Sequence, residues 1–183
     1  MQQHHTLKTL IAAAALLALP LAHAANMSKP DYDSGKSRIS ATYKSDKSAC
    51  GSMTGNAKDI CVEEAKAKQK IAKAELEYGY SGTAKDGTKV AMAKADAGYA
   101  VAKERCDDQT GNAKDVCVKE AKAVHVKALA DAKLAKDVGT ARKDAAADKR
   151  DADYKVAIEK CDAFAGDVKT SCVATAKTSF GKN

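Results

Sequence analysis

Large apolar side chains are scarce in this sequence, and the scarcity excludes a good deal. After Ala24, Leu, Ile, Val and Phe together occupy 20 of 159 residues, about 13%, below the ~20% at which a conventionally packed core becomes doubtful. Only two prolines occur, Pro20 and Pro30, and aromatic residues are few. Beyond residue 24, His125 is the sole histidine. No Ser/His or Cys/His set for nucleophilic catalysis is therefore expected. His125 lies in a Val-flanked helical stretch, AVHVKA, and reads as a helix-surface or packing residue. No C-x-x-C stands beside a βαβ pattern, as a thiol redox site requires. There is no P-loop or dinucleotide fingerprint, and the glycines of GYSGTAKDG read as a plain loop. A non-enzymatic protein without a cofactor is the expectation.

The longest apolar run is short and N-terminal. Lys8 precedes LIAAAALLAL at residues 10–19, Pro20 breaks the run, and Ala22-His23-Ala24 is a small-x-small cleavage site. That pattern predicts a secretory signal peptide over residues 1–24, cut after Ala24, and a periplasmic product. A membrane anchor needs ~20 apolar residues, which this run does not reach. No cysteine follows the cleavage site, so a lipoprotein signal is not read here. No transmembrane segment is expected in the mature chain.

What is abundant is alanine and charge. Ala, Lys, Glu, Leu and Arg make 72 of the 159 residues after Ala24, and these are the strongest helix formers. No strand is read. The mature chain carries 30 Lys+Arg against 24 Asp+Glu, a net charge of +6. The lysines alternate with acids rather than forming a block, so nucleic acid is not expected as a partner. The expected partner is an unidentified protein or an anionic component of the envelope surface.

Six cysteines supply what the core lacks. They fall in three pairs, Cys50/Cys61, Cys106/Cys117 and Cys161/Cys172, each with ten residues between its members. Other positions recur in register. Tyr43, Tyr99 and Tyr154 lie seven residues before the first cysteine of each pair; Ala65, Ala121 and Ala176 lie four after the second. Offsets of four and seven share a helix face. The chain therefore holds three copies of one unit. Gly55-Asn56, Gly111-Asn112 and Gly166-Asp167 lie between the cysteines. Glycine suits the position just past a helix end, and Asn or Asp the N-cap of the next helix. Each unit thus reads as helix, tight turn, helix. Cysteines equidistant from the turn come level in an antiparallel hairpin, so three intra-repeat disulfides are predicted. Each closes about a dozen residues and is worth roughly 3 kcal/mol in the chain-entropy model. Zinc ligands come as C-x2-4-C pairs, which this spacing is not, so no metal site is expected.

The predicted fold is all-α: three disulfide-stapled antiparallel helical hairpins in tandem. The expected boundaries are a linker over 25–36, hairpins over 37–79, 89–138 and 139–183, and a loop over 80–88. Gly139-Thr140 is the weakest of these breaks: the next helix starts there or bends onward from the last. The units YAVAKERCDDQTGNAKDVCVKEAKA and DADYKVAIEKCDAFAGDVKTSC resemble exported Ala/Lys-rich proteobacterial proteins of unknown function, often labelled TolA-like cell-envelope proteins. The resemblance covers nearly the whole mature chain and implies an envelope location, but no catalytic or binding residue. The chain departs from TolA itself in its cleavable apolar segment and in showing no strand-containing C-terminal domain. The leading expectation is an envelope structural or interaction module. The alternatives are a periplasmic stress or chaperone-like protein and a periplasmic metal-binding protein.

Overall fold

The computed structural model describes residues 27–182; the signal peptide read at 1–24 lies outside them. The described residues form five helices: α1 (Lys29–Ala49), α2 (Gly55–Ser81), α3 (Ala84–Cys106), α4 (Gly111–Cys161) and α5 (Gly166–Ser179). A 3-10 turn, Cys50–Ser52, follows α1. Each helix packs only on its neighbours in the chain: α1 on α2, α2 on α3, α3 on α4, and α4 on α5. The result is an open row rather than a closed bundle, the nearest-neighbour arrangement of repeat proteins.

All three predicted bridges are present. Cys50–Cys61, Cys106–Cys117 and Cys161–Cys172 each hold their Cα atoms 5.7 Å apart. Cys50, Cys106 and Cys161 are the most deeply buried side chains; five alanines and Leu76 complete the buried apolar set among the described residues. An alanine methyl removes little area from water at ~25 cal/mol per Å². The staples consequently sit where a larger core would otherwise lie.

The structure revises several boundaries. The linker expected over 25–36 is helical from Lys29 onward. Its Ser, Pro and Asp are helix-start residues: the Ser28 side chain accepts from Asp31 N at 3.2 Å, and Pro30 sits in the first turn, where its missing N–H costs nothing. The loop expected over 80–88 shrinks to Gly82-Thr83. Gly82 takes a left-handed φ of 63° and closes α2. Thr83 opens α3, its hydroxyl accepting from Asp86 N at 3.1 Å. Ser81 and Thr83 both donate to Asp86 Oδ2, at 2.6 and 2.7 Å. Asp86 Oδ1 accepts no well-aligned hydrogen bond and is neutralised by Lys89 Nζ at 2.7 Å.

The break expected at Gly139-Thr140 does not form. Helix α4 runs through it for 51 residues, about 75 Å at 1.5 Å per residue, so the second and third units share one helix. The reason is local. The register that carries Ser81-Gly82-Thr83 in the first junction carries Asp137-Val138 in the second, and one residue has been lost there. Neither the left-handed glycine stop nor the Thr–Asp start is available.

The Gly-Asn turns also differ from expectation. Gly55, Gly111 and Gly166 do adopt left-handed φ values of 57–58°. They stand at the start of the second helix, however, after an extended Thr54, Thr110 or Ala165. The first helices have already closed at Cys50, Asp107 and Asp162.

Two outcomes are expected. Reduction should lower the melting temperature sharply and broaden the transition while leaving residual helix in circular dichroism, because alanine and lysine keep their helix propensity. Coincident melts with and without reductant would overturn the staple argument. Separately, the Lys89 ammonium first, and then the Ser81 and Thr83 hydroxyls, hold the Asp86 carboxyl well below its usual range, so its contribution is present above about pH 4 and fades as pH falls further. Asp86→Asn should melt lower than the parent chain at pH 7, with the gap closing in acid; a gap constant between pH 7 and pH 2 would refute that linkage.

Candidate functional site

His125, the sole histidine beyond residue 24, sits at the centre of the row. Seven residues before Cys106, Tyr99 projects from α3; eight after Cys117, His125 projects from α4. Both positions lie on the face their cysteine shares, so the bridge brings them together. Their rings stack with centroids 4.9 Å apart and planes 12° apart. His125 Nε2 lies 2.8 Å from Asp96 Oδ1. The other carboxylate oxygen of Asp96 accepts from Lys70 Nζ, also at 2.8 Å. Lys70 belongs to α2, so this cluster ties three consecutive helices. The Lys70 hydrogen bond first, and the His125 contact second, hold the Asp96 carboxyl below its ordinary range.

The same place in the other units is filled differently. Tyr154 meets Phe180 with centroids 6.0 Å apart, and Tyr43 shares a groove with Gln69. Gln69, His125 and Phe180 all stand eight residues after the second cysteine of their unit. The unit thus keeps its tyrosine and varies the side chain that meets it. The signal was present in the sequence, since an offset of eight continues the helical face already marked by the offset of four.

Beside the Tyr99–His125 stack a groove of about 660 Å³ runs between α3 and α4. Seven alanines on its α4 and α3 walls, among them Ala102, Ala121 and Ala128, leave it mostly apolar, with Tyr99, Val124 and His125 between them and Lys94 and Asp131 at its charged positions. Val124 is 68% exposed. Salt bridges line the α2–α3 contact instead: Arg105 with Glu64 at 2.6 Å and Lys94 with Glu75 at 2.7 Å. At the hairpin tips, Asn56 Nδ2 donates to Glu104 O at 3.2 Å and to Asp108 Oδ1 at 2.7 Å. Asn56, read from the sequence as an N-cap, in fact joins the first tip to the second.

All six predicted site cysteines are consumed in bridges. Among the described residues, no three His, Cys, Asp or Glu side chains converge as a metal site would require, and no helix is long and apolar enough to cross a membrane. No family model, curated protein or solved structure matches this chain.

The cluster yields a stability prediction. Replacing Asp96 with Ala removes two partly exposed pairs, each worth ~0.2–1 kcal/mol, so the variant should melt modestly lower at pH 7. A depressed carboxyl stabilises above its unfolded value of about 4, so the difference should disappear as pH falls through the folded-state value. Thermal melts of both proteins from pH 7 to pH 2 test this; a difference persisting undiminished in acid would show that Asp96 acts through packing alone.

Proposed function

We propose that the chain is a non-enzymatic periplasmic protein of the cell envelope, a helical repeat module that binds another envelope protein. The observation that carries this reading is the open row. Because each helix packs only on its chain neighbours, the row keeps both broad faces uncovered, and the α3–α4 groove presents an alanine-lined channel with Val124 at its edge. Multivalent contact along such a face is how other stacked-helix repeats bind.

Export is supported by two features. Three bridges use every cysteine, and such bridges persist in oxidising compartments such as the bacterial periplasm. The apolar run at residues 10–19 has signal-peptide form. The net positive charge favours an acidic contact surface on the partner.

The test is expression of the full chain in a bacterial host, followed by osmotic-shock fractionation and crosslinking. The protein is expected in the periplasmic fraction, starting at Ala25, with no cysteine open to alkylation. A photo-crosslinker at Val124 is expected to give one discrete protein adduct. Retention in the cytoplasm would defeat the envelope assignment. A smear of many adducts, together with suppression of client aggregation by the purified protein, would establish the chaperone-like reading instead; adducts to anionic lipid or polysaccharide alone would move the partner from protein to envelope surface.

A further inference from the structure

The unit repeat shows what ought to cover one face of α4, and that face is bare. On α2, the side that receives α3 is formed by Ile60, Glu64, Ala67, Ile71 and Ala74, all half-buried. Shifted by the 56-residue repeat, these become Val116, Glu120, Ala123, Lys127 and Ala130 on α4, and all five are exposed. The stripe continues through Leu134 and Val138, 61% and 40% exposed. The helix that the repeat would lay on this face is the C-terminal half of α4 itself. That half runs straight on past Gly139 and leaves the face empty.

We propose that the occupant is a second copy of this chain, whose α4 pairs with this one antiparallel about a two-fold axis level with Thr140. The argument is charge complementarity. The α2–α3 contact is fixed by Glu64–Arg105 and Glu75–Lys94. Their repeat equivalents are Glu120 with Lys160 and Asp131 with Lys149. The charges are conserved in sign at all four positions. Glu120 and Lys160 lie twenty residues either side of Thr140, and Asp131 and Lys149 lie nine either side. Both pairs therefore share one centre. A two-fold axis at that centre makes each pair twice, the isologous arrangement of symmetric dimers. Lys127 and Asp153, thirteen residues either side, add a third complementary pair.

The positions are available and face the right way. Among the described residues, none of these six side chains has an ion-pair partner, and all are exposed. Glu120 and Lys160 are forty residues apart, which at 3.6 residues per turn leaves them about 40° from the same helical phase. Folding the second half of one α4 back onto the first would satisfy the same pairs within one chain. It would need a stop and a start at residues 137–140, and the Gly82-Thr83-Asp86 chemistry that provides them in the first junction is missing there. Two continuous helices meet the pairs without a turn.

The proposal does not rest on the envelope role and is tested apart from it. Sedimentation equilibrium of the oxidised mature chain should show a monomer–dimer equilibrium between about 1 and 500 µM. Glu120→Lys places like charges together twice per dimer and should raise the dissociation constant about tenfold; Lys160→Glu should do the same, and the double variant should restore association. Circular dichroism checks that each variant keeps its helix. A genetically encoded spin label at Val138, one per chain, should report an intermolecular distance under about 20 Å, since paired helix axes lie ~8–10 Å apart. A monomer throughout the concentration range overturns the proposal. So does a dimer indifferent to charge reversal at Glu120, or rescue by the double variant seen in thermal melts of a species that stays monomeric, which would show the fold-back instead.

Discussion

Two helices that face each other mainly with alanine gain little by touching, and most of what is distinctive here follows from that constraint. Among the described residues Ala65, Ala93, Ala97, Ala132 and Ala176 are buried, with Leu76 the one large aliphatic side chain beside them. Burial on this scale leaves a short helical hairpin marginal. The covalent bridge replaces the missing apolar term and is spent at the same place each time, near the tip, with the first cysteine of each pair sealed inside. Small side chains in turn let the backbones approach. Gly35 is the extreme case: a Cβ there would meet Leu76 Cδ1 at 2.5 Å, so α1 and α2 touch where the one large buried aliphatic among the described residues lies.

Away from the tips each hairpin needs a second fastening, and these are individual rather than repeated. The open end of the first hairpin is held by Tyr32 stacked on Tyr80 with centroids 4.5 Å apart and by Tyr32 OH donating to Glu77 at 2.6 Å. The middle uses Tyr99, His125 and Asp96. The last uses Tyr154, Phe180 and an ion pair between Lys182 and Asp151 at 2.6 Å. Repetition fixed the tips, and the rest of each unit was free to diverge.

The parts of the fold legible in the sequence were those set by spacing. Equal intervals between cysteines, tyrosines and glycines identified the hairpins and paired the bridges without any knowledge of packing. What spacing could not resolve was residue type with two meanings. Ser28, Pro30 and Asp31 belong equally to a linker or to a helix start, and only the Ser28–Asp31 cap decides between them. Ser81, Thr83 and Asp86 looked like loop because their value lies in bonds to one another. Gly139 looked like a break because glycine often is one, yet a single glycine costs a helix only ~1 kcal/mol, less than the flanking turns of α4 supply. His125 reads from the sequence as a helix-surface or packing residue, and in the fold it packs on Tyr99. Its partner Asp96 was not foreseen, because that contact joins different helices at no fixed repeat interval.

The position of the bridges also governs how the chain would respond to tension. A row in which each helix holds only its neighbours yields one hairpin at a time when its ends are drawn apart, since no contact spans the whole array. Each unit then lengthens until the pull reaches its disulfide, and there it stops. The eleven-residue step between bridged cysteines keeps roughly 30 Å of contour per unit out of reach, at ~3.3–3.6 Å per extended residue. A hairpin tip therefore survives as a knuckle in the stretched chain, and its short inter-cysteine loop stays closed under load.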